Sequence, residues 1–442
     1  MASQLHARKK ILPHDILDLT PASPESGNHS MKGKRSKKLA KELQYALTAV
    51  VSFVGLGLFL GYVLLHYQHR QIILHIMKDP WGHGGSILKG RVGFRHHFYT
   101  GSPRFVSIVL PSVVAPEKRM RRLESIQQTW GQGSRAMFVV HNVTEFPQAA
   151  HAVFSETSKP TDPYSYPQLL LLPPEIGLDD GLPRLYYTIR AVFDRVNPDF
   201  AFFVNDHTFV IPEHLCKYLE HRDPDDDLYA GHALNNGKKG AFNSGAAGYL
   251  LSRGTMQKLI HKWNEQDPTC LVTGDANKWL QGNPGLVTVQ CLETLGIRAI
   301  DTRASHKWHR FHAFPLTRVV SGAVDQWYKN KHQGVSQLIG ETDGSYDTLL
   351  PGTDCCSMDT ISFHYVEYME SRALFSTREA LLRNPQMSDH ELKNLMLAEW
   401  PHDPKEVGGY SHALPKETDV EGWGPLLEVA RKISSRRTQR DC

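Results

Sequence analysis

A polar turn follows the apolar run "AFFV" at residues 201–204. The turn consists of Asn205, Asp206 and His207, and the apolar pattern resumes after it with "TFV". In α/β proteins, ligands bind beyond the carboxyl ends of strands. A carboxylate and an imidazole offer donor atoms to a divalent metal ion, and an asparagine amide can hydrogen-bond a ribose hydroxyl. The turn is therefore a candidate site for a metal ion or a nucleotide, although it carries only one carboxylate.

Apolar runs of strand length alternate with helical patterns around this turn. Helical spacing of apolar residues occurs around "KRMRRLESIQQTWG" and in "LPRLYYTIRAVFDRVNP". The runs that read as strands are "RFVSIVLPSV", "AMFVVHNV", "QLLLLP" and the run ending in the turn. Strands that alternate with helices favour a largely parallel sheet with helices on both faces. We therefore predict an α/β fold with the turn at the carboxyl edge of the sheet.

A long apolar segment, "YALTAVVSFVGLGLFLGYVLLHY", occupies residues 45–67. It has no charged residue over the roughly 20 positions that a bilayer-spanning helix needs. Its length and its position within the chain argue against a buried core helix and a cleaved signal peptide. The Lys-rich and Arg-rich stretch before it places the N-terminus in the cytosol. We therefore predict a cytosolic tail at 1–44, a transmembrane signal-anchor at 45–67 and a stem at 68–103, with the remainder lumenal.

The cysteines fit an oxidising compartment, since all six lie beyond the predicted anchor. Their pairing cannot be derived from the sequence, but free vicinal thiols would not persist there, so we expect a disulfide that includes Cys355 or Cys356. The sequon at Asn142 agrees with the same compartment and predicts glycosylation of that residue.

The distribution of charge argues against nucleic-acid binding. The chain has a formal net charge of +4, and its excess of basic residues is concentrated at 32–42, in "KGKRSKKLAKE". A nucleic-acid-binding domain would carry such residues along one face of its folded part. We therefore expect no nucleic-acid partner.

Four separate stretches carry a shared pattern: "RRLESIQQTWG", "FFVNDH", "FNSGAAGYLLSRGTM" and "CCSMDTISFHYV". Together they resemble the β1,3-glycosyltransferase family of the Golgi (glycosyltransferase family 31), and most closely its core 1 β1,3-galactosyltransferase branch. The resemblance implies a GT-A-like (Rossmann-like) domain, which we place at 104–375, in a single-pass type II Golgi enzyme. It also implies a UDP-sugar donor, a divalent cation such as Mn²⁺, and a glycoprotein or glycan acceptor. A C-terminal helical extension and basic tail would occupy 376–442, and a homodimer is left open.

The resemblance assigns roles to residues of the turn, although two of its three positions depart from the family pattern. The family carries an Asp-Asp-Asp turn where this chain has Asn205, Asp206 and His207. The implied metal ligands are Asp206 and His207 together with His364 of "SFHYV", and the implied nucleotide contacts are Asn205 and Asp206. Two interpretations stay open, namely a metal site richer in nitrogen ligands and a turn that has lost its cation.

The glycine-rich stretch has a backbone role in the resemblance. Small residues let the chain approach the bound sugar nucleotide, which assigns Gly245 and Gly248 to the cofactor site. Ala246 replaces one family glycine, and this is tolerable only if its φ is negative. The alternative is a plain glycine-rich turn between a strand and a helix.

The general base and the acceptor site are less well matched. An inverting transferase needs a carboxylate to accept the proton of the acceptor hydroxyl, but the family spacing before Cys291 leads to Pro284 and Gly285. Asp275 becomes the candidate if the stretch after it contains an insertion. Aromatic rings stack on sugar faces, and the acceptor candidates, each with plain packing as its alternative, are Trp308, Trp327 and Tyr328.

The function favoured by these stretches is transfer of galactose, or a related hexose, from a UDP-sugar in β1,3 linkage to an O-linked N-acetylgalactosamine or similar acceptor. The reaction would be inverting and assisted by a metal ion. One alternative is a catalytically inactive relative that acts as a lumenal chaperone or glycan-binding partner. Another is a transferase that needs no metal.

Overall fold

The computed structural model describes residues 44–45, 104–133, 137–142, 167–237, 240–270, 284–400 and 414–434. The predicted cytosolic tail, membrane anchor and stem lie outside these ranges, apart from Gln44 and Tyr45. No helix within the described ranges combines the length and the apolar character needed to cross a bilayer.

A six-stranded sheet forms the centre of the domain, in the order β3-β2-β1-β4-β9-β6. The first four strands are mutually parallel, whereas β9 is antiparallel to both of its neighbours. The largely parallel sheet is therefore confirmed, with an antiparallel edge. Its strands are β1 (Phe105–Leu110), β2 (Met137–Asn142), β3 (Pro167–Leu172), β4 (Phe200–Asn205), β6 (Tyr229–Gly231) and β9 (Tyr249–Ser252).

The central strands are buried along their whole length. Every residue of β1 is buried, and in β4 only Asn205, at its end, is partly exposed. This fits their continuous apolar sequences, since a parallel strand covered on both faces shows no polar alternation. Two small sheets accompany the large one, and they contain β5 (Thr208–Val210), β7 (Ala233–Asn235), β8 (Ala241–Asn243), β10 (Phe311–His312) and β11 (Ser362–His364).

The helices have recognisable start and stop signals. Helix α1 begins at Pro116, where the missing N–H of proline carries no penalty, and α2 ends at Asn197, which has a left-handed φ of 46°. The helices are α1 (Pro116–Gln128), α2 (Gly181–Val196), α3 (Pro212–Leu219), α4 (Arg253–Asn264), α5 (Pro284–Thr294), α6 (Leu316–Ser321), α7 (Gln326–His332), α8 (Val335–Leu338), α9 (Tyr368–Arg383), α10 (Asp389–Glu399) and α11 (Val420–Ser434). Helix α9 runs across the position where we placed the end of the transferase domain, residue 375.

Two features of this topology define where a ligand would bind. Strands β1 and β4 are neighbours, with Leu110 opposite Asn205 at their carboxyl ends, and the chain proceeds from β1 to β2 on the other side. Such a switch point opens a crevice beyond the strand ends. Strand β11 pairs antiparallel with β5, which sets His364 opposite Thr208, directly after the polar turn.

Disulfides join Cys270 to Cys291 and Cys355 to Cys356, and Cys216 is also disulfide-bonded. The expectation of a disulfide that includes Cys355 or Cys356 is therefore confirmed.

The expectation for the sequon is not supported. Asn142 is 4% exposed at the end of β2, and its side-chain amide donates a 2.7 Å hydrogen bond to the carbonyl of Ile176. A buried, hydrogen-bonded amide is a poor acceptor for a glycan, because the fold would have to open to present it.

Candidate active site

A cleft of about 390 Å³ lies at the carboxyl ends of β1 and β4. This volume is within the range of small-molecule sites, roughly 300–1,000 Å³. Its walls come from stretches that are far apart in the sequence. The lining residues with polar side chains are Ser112, Asp179, Arg184, Asn205, His207, Tyr249, His364 and Tyr365. The polar turn predicted from the sequence therefore lies at the edge of this cleft.

Two imidazoles stand side by side in the cleft wall. The ring centroids of His207 and His364 are 4.3 Å apart, at an interplanar angle of 45°. The amide nitrogen of Asn205 lies 3.5 Å from His364 Nε2. Burial, followed by the neighbouring His207 and Arg122, holds the pKa of His364 well below its usual range. His364 is therefore neutral at physiological pH and keeps a nitrogen lone pair.

Asp206 points into the protein. Its side chain is fully buried, and its Oδ1 accepts hydrogen bonds from Ser112 Oγ at 2.7 Å and His207 Nδ1 at 3.0 Å, with Arg122 at 3.5 Å. Burial alone would raise the pKa of Asp206, but His207, Arg122 and Ser112 lower it to about 2. Asp206 is therefore an ionised acceptor that is enclosed behind the cleft.

This contact constrains the proton on His207. An ionised carboxylate can only accept, so Asp206 favours a proton on Nδ1, whereas the guanidinium of Arg122, which can only donate, lies 3.3 Å from the same nitrogen. The 3.0 Å contact with Asp206 is the shorter one, and it leaves Nε2 as the nitrogen available to a ligand, on a ring that lines the cleft. Histidines that bind metals are commonly oriented in this way by a carboxylate at the second nitrogen. Asp206 thus has the geometry of a positioning residue for His207.

An ion pair joins the first motif stretch to the residue that directly follows the last one. Arg122 of α1 donates to both carboxylate oxygens of Glu367, at 3.0 Å from Nε and 2.5 Å from an Nη. The side chains of Arg122 and Glu367 are only 6% and 14% exposed. Burial works against the charge of Arg122, but Glu367 and Asp206 raise its pKa. The pair anchors α1 to the segment that follows β11, close to both imidazoles.

Arg184 supplies a cation to the cleft. It lies on the buried side of α2, and one of its Nη atoms donates to the carbonyl of Pro111 at 3.2 Å. Its Nε makes no hydrogen bond with any described residue. Burial lowers the pKa of Arg184 to about 10, partly offset by Asp206, so the group stays charged at neutral pH. A buried guanidinium in a cleft wall is suited to an anionic group such as a phosphate.

The glycine-rich stretch forms one side of the cleft. Gly245 and Ala246 line it, and Ala246 has no positive φ, as its replacement of a glycine requires. Gly248 has a different role, since its φ is +84° and an added Cβ would lie 2.8 Å from the ring of Phe202. Gly248 is therefore needed for packing against β4.

Hydrogen bonds connect this stretch to the strands that carry the imidazoles. Thr208 Oγ1 donates to the carbonyl of Ala246 at 3.1 Å, and Ser362 Oγ donates to that of Ala247 at 2.5 Å.

Tyr365, next to His364, has a φ of 58°, which is rare for a residue with a large side chain. Its ring centroid is 3.9 Å from that of His364. A strained aromatic residue in a cleft wall is a frequent mark of a functional site.

The proposed metal ligands fit a cation only in part. His207 and His364 present adjacent nitrogen donors. In the described structure, however, Asp206, His207 and His364 do not each bring a donor atom to within 4.8 Å of those of the other two. The second oxygen of Asp206 is buried without a hydrogen bond to the described chain. The donors that face the cleft are therefore two imidazoles and the Asn205 amide, which is the nitrogen-richer alternative.

The remaining predicted site residues do not line this cleft. Asp275 lies outside the described residues. Trp308 is half-buried and donates to Asp354 at 3.3 Å, whereas Trp327 is 58% exposed. Tyr328 is 4% exposed and packs in the interior, with its hydroxyl 2.5 Å from His232 Nε2. The structure therefore provides no common acceptor surface for these three rings at the cleft.

Sequence reasoning did not assign Arg122, Arg184, Glu367 or Tyr365 to the site. A signal existed for Arg184, because it interrupts the apolar face of the helix predicted at 182–198. Arg122 and Glu367 lay in or beside recognised stretches, but their pairing depends on a contact across 245 positions of the sequence.

The comparison with known proteins gives a distant similarity to a galactosyltransferase. No protein-family profile matches the chain. The chain is 29% identical over 203 residues to glycoprotein-N-acetylgalactosamine 3-beta-galactosyltransferase 1 of Xenopus laevis, an alignment that covers 43% of this chain and 50% of the relative. The chain thus spans about half the length of this curated relative. The similarity, together with the mixed α/β fold, makes the chain a distant relative of a galactosyltransferase and supports a glycosyltransferase at this coarse level.

Proposed function

We propose that this protein transfers galactose, or a related hexose, from a UDP-sugar in β1,3 linkage to an O-linked N-acetylgalactosamine or similar glycan acceptor, with inversion at the sugar. The observation that carries the proposal is the convergence of His207, His364 and Arg184 on one cleft at the β1/β4 switch point. A nucleotide-sugar transferase needs such a place, because its leaving group is a diphosphate whose charge must be balanced.

The donor side divides into three roles. Arg184 would bind the diphosphate by charge and hydrogen bonding. Asn205 would hydrogen-bond the ribose, and the small residues Gly245 and Ala246 allow the chain to approach the sugar nucleotide closely. His207, oriented by Asp206, and His364 would hold a divalent cation, for which the resemblance implies Mn²⁺, and the diphosphate would supply the oxygen ligands that this ion prefers. Such a cation supplies Lewis-acid stabilisation of the leaving diphosphate when bound.

The acceptor side remains the less defined half of the proposal. We retain Asp275 as the candidate general base, and Trp308 and Trp327 as candidate rings for acceptor binding. Asp275 would have to face the cleft from the segment between Cys270 and α5.

The cellular setting follows from the sequence. We propose a single-pass type II protein of the Golgi membrane, with its N-terminus in the cytosol and the transferase domain lumenal. In intact microsomes the domain should resist added protease and become sensitive once detergent is added. Cleavage of the domain in intact vesicles would contradict this topology.

A metal-independent transferase is the second candidate, and the inward orientation of Asp206 favours it. With that carboxylate enclosed beside Arg122, charge balance at the diphosphate could come from Arg184 alone.

Calorimetry on the full chain in detergent separates these functions. UDP and UDP-galactose would be titrated with and without Mn²⁺, into the wild type, the variant His364→Ala and a surface control, His390→Ala. We expect binding that depends on Mn²⁺, is lost in His364→Ala and is kept in the control. Binding that is indifferent to Mn²⁺ and to His364 would favour the metal-independent transferase. A wild type that binds neither compound would contradict transferase activity and point to a chaperone or glycan-binding role.

A further inference from the structure

Three histidines that the proposed function does not use meet in the interior of the protein. His232 lies between β6 and β7, His309 lies two residues before β10, and His332 ends α7. One ring nitrogen of each lies within 4.8 Å of those of the other two, and the ring centroids are 5.0 to 5.4 Å apart. None is more than 5% exposed. Their donor atoms are therefore within reach of a single ion.

Most ring nitrogens of this cluster lack a well-aligned hydrogen bond. Among the described residues, this holds for His232 Nδ1, His309 Nε2 and both nitrogens of His332. Backbone groups of Phe311 and Asp347 approach His232 and His332, respectively, and act only to raise the pKa of those rings. Buried polar atoms in proteins are nearly always satisfied, so an exception calls for a cause. Packing alone leaves these atoms unsatisfied, whereas an ion that accepts their lone pairs would satisfy one nitrogen of each ring.

Neighbouring aromatic residues hold two of the rings in place. The hydroxyl of Tyr328 lies 2.5 Å from His232 Nε2, which leaves Nδ1 as the nitrogen that faces the cluster, and the two rings are stacked. Tyr346 stacks on His332, with the ring planes 10° apart. An oxygen at the second nitrogen is the usual support of a metal-binding histidine, because it fixes the tautomer and the ring orientation.

The cluster also borders a cavity of about 260 Å³ that is open to solvent, which His232 and His309 help to line. Most of the remaining wall is apolar, including Phe314, Val319 and Leu349. A zinc ion in a site with an open position has three protein ligands. Its fourth coordination position is taken by water or another small molecule. The cavity provides room for that fourth ligand.

We propose that His232, His309 and His332 form a second metal site, which binds Zn²⁺ through three imidazole nitrogens and leaves its fourth coordination position open to this cavity. Three nitrogen donors without a carboxylate favour zinc over magnesium, calcium or manganese, which prefer oxygen. The bound ion would fasten the β6–β7 connection, the start of β10 and the end of α7 to one another. The site is independent of the proposed transferase function.

A second group of donor residues is a weaker candidate. Asp301, His306 and Glu341 also lie within reach of one another. However, Arg303 donates to both carboxylates, at 2.9 Å and 2.5 Å, and His306 is 78% exposed. These carboxylates already have a cation, so this group needs no metal ion.

The test is the zinc content of the full chain, purified in detergent with a tag that contains no histidine. After exposure to Zn²⁺ and gel filtration, elemental analysis of the wild type should exceed that of the variant His309→Gln/His332→Gln by one equivalent per chain. His312→Gln is the matched control, because His312 lines the same cavity but is outside the ligand set. His364→Ala, in the transferase cleft, should also keep the cluster's equivalent.

Cobalt gives a readout that needs no variant. Co²⁺ bound to three imidazoles in a tetrahedral site should produce visible absorption bands that one equivalent of Zn²⁺ abolishes. The proposal is overturned if the wild type shows no such bands and retains no zinc, or if the double variant, folded by circular dichroism, retains as much zinc as the wild type.

Discussion

The imidazoles of His207 and His364 lie 4.3 Å apart, centroid to centroid, although they come from distant parts of the chain. The antiparallel pairing of β5 with β11 creates this contact, with His364 opposite Thr208. The large parallel sheet alone does not position either ring. The small sheet therefore assembles the part of the cleft where we propose that the cation binds.

Asp206 should act on the site through His207. The variant Asp206→Asn can place its amide nitrogen toward Nδ1, which removes the preference for a proton there and weakens the donor at Nε2. We expect cation-dependent UDP affinity to fall roughly 10- to 100-fold, the range seen for partners of metal-binding histidines. Calorimetry measures this, and His207→Ala should lose more. An Asp206→Asn protein with wild-type affinity would contradict the positioning role.

Arg184 should contribute to UDP affinity with or without a cation. We expect Arg184→Leu to lose at least about tenfold in UDP affinity, because a charged hydrogen bond to phosphate is removed. Arg190→Leu is the matched control, as Arg190 lies on the same helix and pairs with Asp194. Arg184→Lys keeps the charge and should recover part of the affinity. Equal affinities in all three variants would exclude Arg184 from the donor site.

The Arg122–Glu367 pair should stabilise the fold around the cleft. Glu367→Gln leaves a buried guanidinium with a neutral partner, and breaking such a pair costs about 3–5 kcal/mol. Urea unfolding measures the free energy of unfolding of this variant and of the wild type. Lys118→Met removes the exposed partner of the same carboxylate and should cost less than about 1 kcal/mol. Similar losses in the two variants would mean that burial of the pair is unimportant.

Gly248 should resist substitution for reasons of packing. Gly248→Ala places a Cβ 2.8 Å from the Phe202 ring at a φ of +84°, so strain and overpacking add, and we expect a loss of about 2–4 kcal/mol. Gly344→Ala is the matched control, with a φ of +70° and nothing within 4 Å of the added Cβ, and it should cost only about 1 kcal/mol. Equal losses of unfolding free energy in Gly248→Ala and Gly344→Ala would show that the positive φ alone, and not the contact with Phe202, destabilises the protein.

Asp301 should make stability depend on pH in the acid range. Burial would raise its pKa, but the hydrogen bonds and the charge of Arg303 lower it from 3.8 to about 2. A depressed pKa means that the stabilisation is present above pH about 4 and is lost as the pH falls toward 2. Asp301→Asn should therefore cost about 1 kcal/mol at pH 7, after allowance for solvent screening.

Urea unfolding at several pH values between 7 and 2 measures the difference in unfolding free energy between the wild type and Asp301→Asn. We expect this difference to shrink below pH 4. The control Asp227→Asn removes an exposed pair with Lys258 and should cost less at neutral pH. If the unfolding free energies of Asp301→Asn and the wild type differ by the same amount down to pH 2, the assigned pKa is wrong.

The succession of strands and helices up to β4 was predictable from the sequence. The apolar runs at β1, β2 and β3 and the helical spacing of α1 and α2 are local patterns, and each produced the predicted element. The location of the polar turn at the end of β4 followed from the same reasoning, because a strand that ends in polar residues places them at the edge of the sheet.

The direction of polar side chains was not predictable in this way. Asp206 turns inward because Arg122 and Ser112 offer it partners, and no local pattern reports a contact with another element. Tyr328 shows the same limit, since an aromatic residue in a polar helix reads as a surface ring but packs on His232. The three-histidine cluster was missed because its members come from three different connections of the fold.

The Cys270–Cys291 disulfide has a consequence for how such a protein can change over evolution. It closes a ring of chain with a sequence separation of 21. The entropy of closing a loop grows only with the logarithm of its length, by roughly 0.6 kcal/mol for each doubling. Residues can thus be gained or lost between the two cysteines while both stay joined. Because this interval contains Asp275, which we proposed as the general base, changes in its length can replace that residue without rebuilding the core.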